Sequence, residues 1–192
     1  MMNKKEALEK YERAKSKGEV DKDIISLLEK INSLPYFYTT SSCSGRIVLL
    51  NIPEIGDKKD AKFVCKRHRE VDKKELVNCL KDYKEHYLFF IMQSPIIHIA
   101  ASDIEWANKL IKISLECGFK YTSIKKIESK KILVEVLSTE NLHIPIGREG
   151  KIIVKEEQLT FFLEMANKLL VRAKGKLKCL EEKINSLLLS SS

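Results

Sequence analysis

Two apolar, β-prone stretches, Tyr36-Phe37-Tyr38 and Ile47-Val48-Leu49-Leu50, enclose the run Thr39-Thr40-Ser41-Ser42-Cys43-Ser44-Gly45-Arg46. The pattern asks for two strands here with small, polar residues between them. Small side chains leave backbone N–H groups accessible, Gly45 permits a positive φ, and Arg46 adds a fork-shaped cation. Two readings fit. One is a binding loop for an anionic or hydrogen-bonding ligand; the other is a plain polar hairpin turn, which Ser and Gly also favour. On the first reading Ser42, Cys43, Ser44 and Gly45 bind ligand and Arg46 takes a phosphate or carboxylate.

Around this run the apolar periods lay out the rest. Residues 4–16 read as a charged surface helix ended by Gly18, and a second helix starts near Asp21 with Ile24, Ile25, Leu27, Leu28 and Ile31 on its period. Pro35 stops helical geometry. Residues 51–59 read as a loop, 61–66 as a strand, and Asp72 with Glu75 opens a third helix. Tyr87–Gln93 and Ile96–Ala101 are strands, and Ser102 with Glu105 caps a helix that Gly118 stops. Further strands follow at 120–126 and 132–138, and a short pair, 142–146 and 151–154, brackets a turn at Gly147–Gly150. One long amphipathic helix from about 156 to 189 completes the pattern, with the trailing Leu187–Ser192 expected to fray. Strands neither alternate strictly with helices nor run consecutively. The expectation is a single α/β (α+β) layered domain over residues 1–192, with a mixed, largely antiparallel sheet flanked by helices.

Hydrophobic residues at 44% and charged residues at 32% describe a globular chain, and no apolar run is long enough to span a bilayer. The N-terminus leads into a charged helix and not into a signal-peptide core, so a cytoplasmic protein is expected. Five cysteines (Cys43, Cys65, Cys79, Cys117, Cys179) contain no C-x-x-C pair. That spacing argues against a zinc site and a disulfide framework, and predicts buried thiols in a reducing compartment, with Cys43 the exception because it lies in the polar run beside an arginine. Net charge is +8, which favours a polyanionic partner, although lysine-rich surfaces are also a thermophile habit.

The glycine-rich dinucleotide fingerprint, the P-loop and H-E-x-x-H are all absent from the sequence. His68 follows a strand within the basic knot Lys66-Arg67-His68-Arg69, as a base or as an exposed turn residue. His98 alternates with Ile97 and Ile99, either as a core imidazole or facing a site. His86 and His143 read as surface groups. Lys120 is a further cation near the candidate site, and Tyr36, Tyr38 and Tyr121 are candidates to stack on a base. Trp106 reads as a packing residue.

Taken in order, several segments resemble the tRNA wybutosine-synthesizing protein 3 family. They are Thr39 through Arg46, Phe63 through His68, Ser94-Pro95-Ile96-Ile97-His98-Ile99, Ala107…Leu110…Gly118-Phe119-Lys120 and Ile144-Pro145-Ile146…Gly150. The similarity covers essentially the whole chain. It implies an S-adenosylmethionine-dependent methyltransferase with an uncommon, non-Rossmann α/β fold, requiring no metal and no membrane. The implied substrate is ring nitrogen N-4 of the 7-aminocarboxypropyl-demethylwyosine-type base next to the anticodon of phenylalanine tRNA. His68, His98 and Arg46 are then the catalytic candidates, with Ser42–Gly45 and Lys120 in binding. Lys66, Arg67, Arg69, Lys174, Lys176 and Lys178 would track the tRNA backbone. Where the family tends to show Gly-Phe-Arg and then Ser-Gly, this chain has Lys120, Tyr121, Thr122 and Ser123; Leu137 and Ser94 also depart from its pattern. A non-catalytic basic RNA-binding protein is the alternative.

Overall fold

The computed structural model describes residues 3–56, 59–128 and 131–189; Asp57 and Lys58 of the expected loop, and Ser190–Ser192, lie outside them. The chain divides into two compact units. The first takes the residues up to Ser44, Pro95–Thr139 and those from Ala173 onward; the second takes Gly45–Ser94 and Glu140–Arg172.

The first unit holds α1 (Lys4–Ser16), a 3-10 turn (Lys22–Ile24), α2 (Ile25–Ser33), β1 (Phe37–Cys43), β5 (Ile96–Ala101), α4 (Ile104–Glu116), β6 (Ser123–Glu128) and β7 (Lys131–Leu137). The later half of α5 (Glu156–Leu189) also belongs to it. Its strands form an antiparallel sheet in the order β1-β5-β7-β6. Alternation sorts the side chains of that sheet. Ile97, Ile99, Val134 and Val136 face a core completed by Leu27, Leu28 and Ile31 of α2, Leu110 of α4, and Leu180 and Ile184 of α5. The other face carries Ala100 and Tyr38, which pack with Ala7 of α1. His98 and Glu135, between the core-facing residues, belong to this second face.

The second unit holds β2 (Arg46–Ile52), β3 (Lys62–Arg67), α3 (Lys73–Leu80), β4 (Tyr87–Gln93), β8 (Asn141–Arg148), β9 (Lys151–Ile152) and the first half of α5. Its antiparallel sheet runs β3-β2-β4-β8-β9. Leu88, Phe90 and Met92 on β4 and Ile146 on β8 are fully buried, and Leu159, Leu163, Ala166 and Leu170 give α5 a buried stripe. Asn167 ties α5 to the chain before α3: its side chain accepts from Val71 N at 3.0 Å and donates to Val71 O at 2.8 Å.

Several expectations change. The strands divide between two wholly antiparallel sheets in place of one mixed sheet, because β1 pairs only with β5 while β2 pairs with β3 and β4. Residues 39–43, read as a loop, are strand: Ser41 stands opposite His98, Ser42 opposite Ile97 and Cys43 opposite Ile96. Hydroxyl side chains tolerate a ladder when the neighbouring strand supplies the pairing. The cap of α4 is Asp103, which accepts from Trp106 N at 2.9 Å, whereas Ser102 donates its hydroxyl to that carboxylate at 2.7 Å.

Cysteines are the largest correction. Cys65 on β3 bonds Cys79 on α3, and Cys117 after α4 bonds Cys179 on α5, with Cα separations of 5.8 and 5.6 Å. Both fall in the range a disulfide spans, and only tertiary folding creates them. Cys43 stays outside both bridges. Among the described residues no helix is long and apolar enough to cross a membrane.

Candidate functional site

His98 is the best-built polar group of the first unit. The β5–β7 register places it opposite Glu135, and the β1–β5 register places it opposite Ser41. Its Nε2 lies 3.0 Å from Glu135 Oε2 and its Nδ1 lies 2.8 Å from Ser41 Oγ. Glu135 Oε1 takes an ion pair from Lys125 Nζ at 2.7 Å. A carboxylate only accepts, so Nε2 carries a proton, and in the neutral imidazole Nδ1 is then the acceptor for the Ser41 hydroxyl. Four strands thus hold one chain, Ser41–His98–Glu135–Lys125. Its inner member, Glu135, is 7% exposed, whereas Ser41 opens to solvent.

Ser41 also belongs to a cleft between α1 and β1. The cleft holds about 240 Å3 and is lined by Lys10, Tyr11, Glu19, Thr40, Ser41 and Ser42 among others. The hydroxyl of Tyr11, one of the lining residues, is buried and has no hydrogen-bond partner among the described residues. Burial of that hydroxyl, with Glu29 nearby, raises its pKa above the ordinary tyrosine value. The cleft therefore offers a proton-bearing donor together with serine hydroxyls, an ammonium and a carboxylate.

The remaining sequence-derived candidates separate. Ser42 lines the cleft, and Cys43 is half-buried at the end of β1. Ser44 is fully buried, and its N–H is donated to Asp21 Oδ2 at 2.7 Å. In this structure that N–H is therefore engaged by a carboxylate and not open to a ligand anion. Gly45 takes φ +88° and begins the second unit. Lys120 is exposed in the turn before β6.

In the second unit, Arg46 opens β2. Its Nε donates to Gln93 Oε1 at 2.7 Å, directly opposite on β4, and its guanidinium carbon stands 5.0 Å from the Phe63 ring centroid. His68 is half-buried just beyond β3. Of the basic knot around it, Arg67 and Arg69 both bind Glu75, the latter at 2.8 and 2.9 Å. The Arg69 and Arg67 hydrogen bonds hold the Glu75 carboxyl below its usual range. Lys174 pairs with Asp23, and Lys176 donates to Gly118 O and Ser138 Oγ at 3.0 and 2.7 Å. These cations brace the fold; of the expected tRNA-tracking set Lys66, Arg69 and Lys178 are exposed, and Arg69 is held by Glu75. Tyr36 stacks on Trp106 at 3.8 Å and Tyr38 is buried, so of the three expected stacking tyrosines only Tyr121 stays exposed.

Ser41 lay inside the conspicuous polar run without standing out from it. Glu135 had a readable signal: it is the one charge in Ile132-Leu133-Val134-Glu135-Val136-Leu137, a run otherwise apolar throughout. A buried acid in such a strand needs partners.

Comparison with known proteins agrees with this fold. A sequence profile of the family described as Methyltransferase TYW3 matches residues 2–186. A Pyrococcus horikoshii protein named tRNA(Phe) 7-((3-amino-3-carboxypropyl)-4-demethylwyosine(37)-N(4))-methyltransferase 1 is 49% identical over 184 residues, covering 96% of this chain and 94% of its own. Its namesake from Pyrococcus furiosus is 48% identical over 184 residues, with the same coverage. The solved structure of the PH1069 protein from Pyrococcus horikoshii superposes with a TM-score of 0.91 at 49% identity, over 94% of this chain and 93% of that one. The chain belongs to the Methyltransferase TYW3 family.

Proposed function

We propose that this methyltransferase uses S-adenosylmethionine to methylate N-4 of the 7-(3-amino-3-carboxypropyl)-4-demethylwyosine base at position 37 of tRNA(Phe), in the cytoplasm. The observation that carries the reading is the near-full-length likeness to relatives bearing that name, at 49 and 48% identity. The +8 charge suits a tRNA partner.

The α1–β1 cleft fits the amino-acid end of the methyl donor. Glu19 would meet its ammonium, Lys10 its carboxylate, and the unpartnered Tyr11 hydroxyl would donate a hydrogen bond. When bound, S-adenosylmethionine supplies an electrophilic methyl group on a sulfonium. Transfer of that methyl group to the base's N-4 would form the N–C bond, break the sulfur–methyl bond and leave its electron pair on sulfur. The ring nitrogen must then lose its proton.

His98 is the group built to receive it. Its Nδ1 accepts through the exposed Ser41 hydroxyl, and Glu135 on Nε2 stabilises the imidazolium that forms. Lys125 keeps the Glu135 carboxylate paired when no substrate is present. His68 and Arg46 are then left for binding the RNA.

Methyl transfer from labelled S-adenosylmethionine to phenylalanine tRNA from cells lacking this gene tests the reading, with the product nucleoside identified by mass. Label in the tricyclic base supports it. Tight tRNA binding with neither transfer nor donor binding would leave a non-catalytic RNA-binding protein.

A further inference from the structure

Phe63 is an aromatic ring that the fold leaves in solvent. It sits on β3, the edge strand of the second unit's sheet, and is 48% exposed. A single exposed phenylalanine is ordinary. This one carries two cations: the Arg46 guanidinium carbon 5.0 Å from the ring centroid and Lys66 Nζ 5.5 Å from it.

The backbone goes out of its way to assemble the three. Strict alternation would send Phe63 and Lys66, three residues apart, to opposite faces. The β2–β3 pairing shifts instead: Leu50 stands opposite Phe63 and Leu49 opposite Cys65, so Val64 is an extra residue on β3. The shift brings Phe63 and Lys66 to the face that Leu50, Val48 and Arg46 share. Arg46 reaches the ring with its Nε fixed by Gln93, and no acceptor among the described residues holds its two terminal nitrogens.

An exposed ring with two cations against it matches a planar base joined to an anion. Two ligands carry that chemistry here, an unpaired nucleotide and the adenosine of the methyl donor. Paired cations favour the nucleotide. An RNA backbone brings an anionic phosphate on each side of every base, whereas the donor brings one carboxylate and a cationic sulfonium that Arg46 and Lys66 would repel.

We infer that Phe63 is a stacking platform for an unpaired nucleotide of the RNA substrate, with Arg46 and Lys66 on its flanking phosphates. The inference rests on the tRNA reading above and names a part of its recognition surface. Stacking on an aromatic side chain needs a base released from a duplex, which a single-stranded loop supplies.

The full chain is tested by fluorescence anisotropy against a short single-stranded oligoribonucleotide and the same strand annealed to its complement, at fixed salt. Phe63→Ala weakens binding of the single strand about ten-fold or more and that of the duplex by less than about two-fold, while Phe63→Trp retains both. An equal loss on both RNAs, or none on the single strand, overturns the inference. In methyl transfer, Phe63→Ala raises KM for tRNA and leaves KM for S-adenosylmethionine unchanged. A raised donor KM with unchanged RNA binding assigns the ring to the donor and also overturns it. If the wild-type chain transfers no methyl group to tRNA, the substrate reading fails, and the oligonucleotide comparison still decides the role of Phe63.

Discussion

His98 and Glu135 face each other across adjacent strands, Nε2 to Oε2 at 3.0 Å, and each has apolar residues on both sides of it in its strand. If they act as a unit with Ser41, His98→Ala lowers kcat for methyl transfer about 100-fold or more, and Glu135→Gln lowers it by a comparable factor with little change in KM. The double variant is no worse than His98→Ala alone, because each single change already disables the relay. Steady-state kinetics with both substrates varied checks this. Additive losses would show that the two residues act independently.

Much of this was open to a reader of the sequence, and its limits are physical. Periods of 3.6 and 2 fix which face of each element is buried, so β4 and β5 fall where Tyr87–Gln93 and Ile96–Ala101 are read. Partnership between strands is a long-range property. Nothing local in Thr39–Cys43 announces pairing with Ile96–Ile99, and without that register Ser41 cannot be matched to His98. The same blindness hid both disulfides, whose partners are 14 and 62 residues apart and meet only in the folded chain. Basic runs mislead for a related reason. Arg67, Arg69, Lys174 and Lys176 look like a nucleic-acid stripe until their acceptors, Glu75, Asp23, Gly118 and Ser138, are brought alongside.

The disulfides contribute unequally. Closing a loop costs the unfolded chain entropy that grows with loop length, so the Cys117–Cys179 bridge across 62 residues stabilises by roughly 4 kcal/mol and the Cys65–Cys79 bridge across 14 by roughly 3 kcal/mol. Serine at Cys179 therefore lowers Tm more than serine at Cys79 in thermal unfolding under oxidising conditions. Added reductant brings wild type down towards the double variant. Equal Tm values with and without reductant would contradict both bridges.

Glu75 gives stability a defined acid dependence. Arg69 and Arg67 depress its carboxyl pKa in the folded chain. A depressed carboxylate contributes stability that is present above its unfolded-state value, near the ordinary glutamate pKa, and that is lost as pH falls through the folded one. Glu75→Gln is thus less stable than wild type at pH 7, and the gap in Tm closes under acid as the wild-type carboxylate is protonated. A gap that persists unchanged into acid would assign the effect to packing. High salt also narrows it at neutral pH, since Arg69 is well exposed.

Gly150 is confined by backbone on both counts, conformation and space. It follows Glu149 in the β8–β9 hairpin, with φ values of +50° at Glu149 and +73° at Gly150, the paired left-handed conformation of a tight two-residue turn. A Cβ added at Gly150 would lie 2.4 Å from the Lys84 carbonyl oxygen, which is backbone and cannot swing aside. Gly18 provides the control, with φ +69° and nothing within 4 Å of an added Cβ. Gly18→Ala costs only left-handed strain, about 1 kcal/mol, while Gly150→Ala adds displacement of the Lys84 backbone and costs more than about twice that. Urea unfolding of the two variants beside wild type measures the difference. Equal costs would mean that the segment carrying Lys84 yields freely, and that the hairpin's close approach to it contributes nothing to the stability of the second unit.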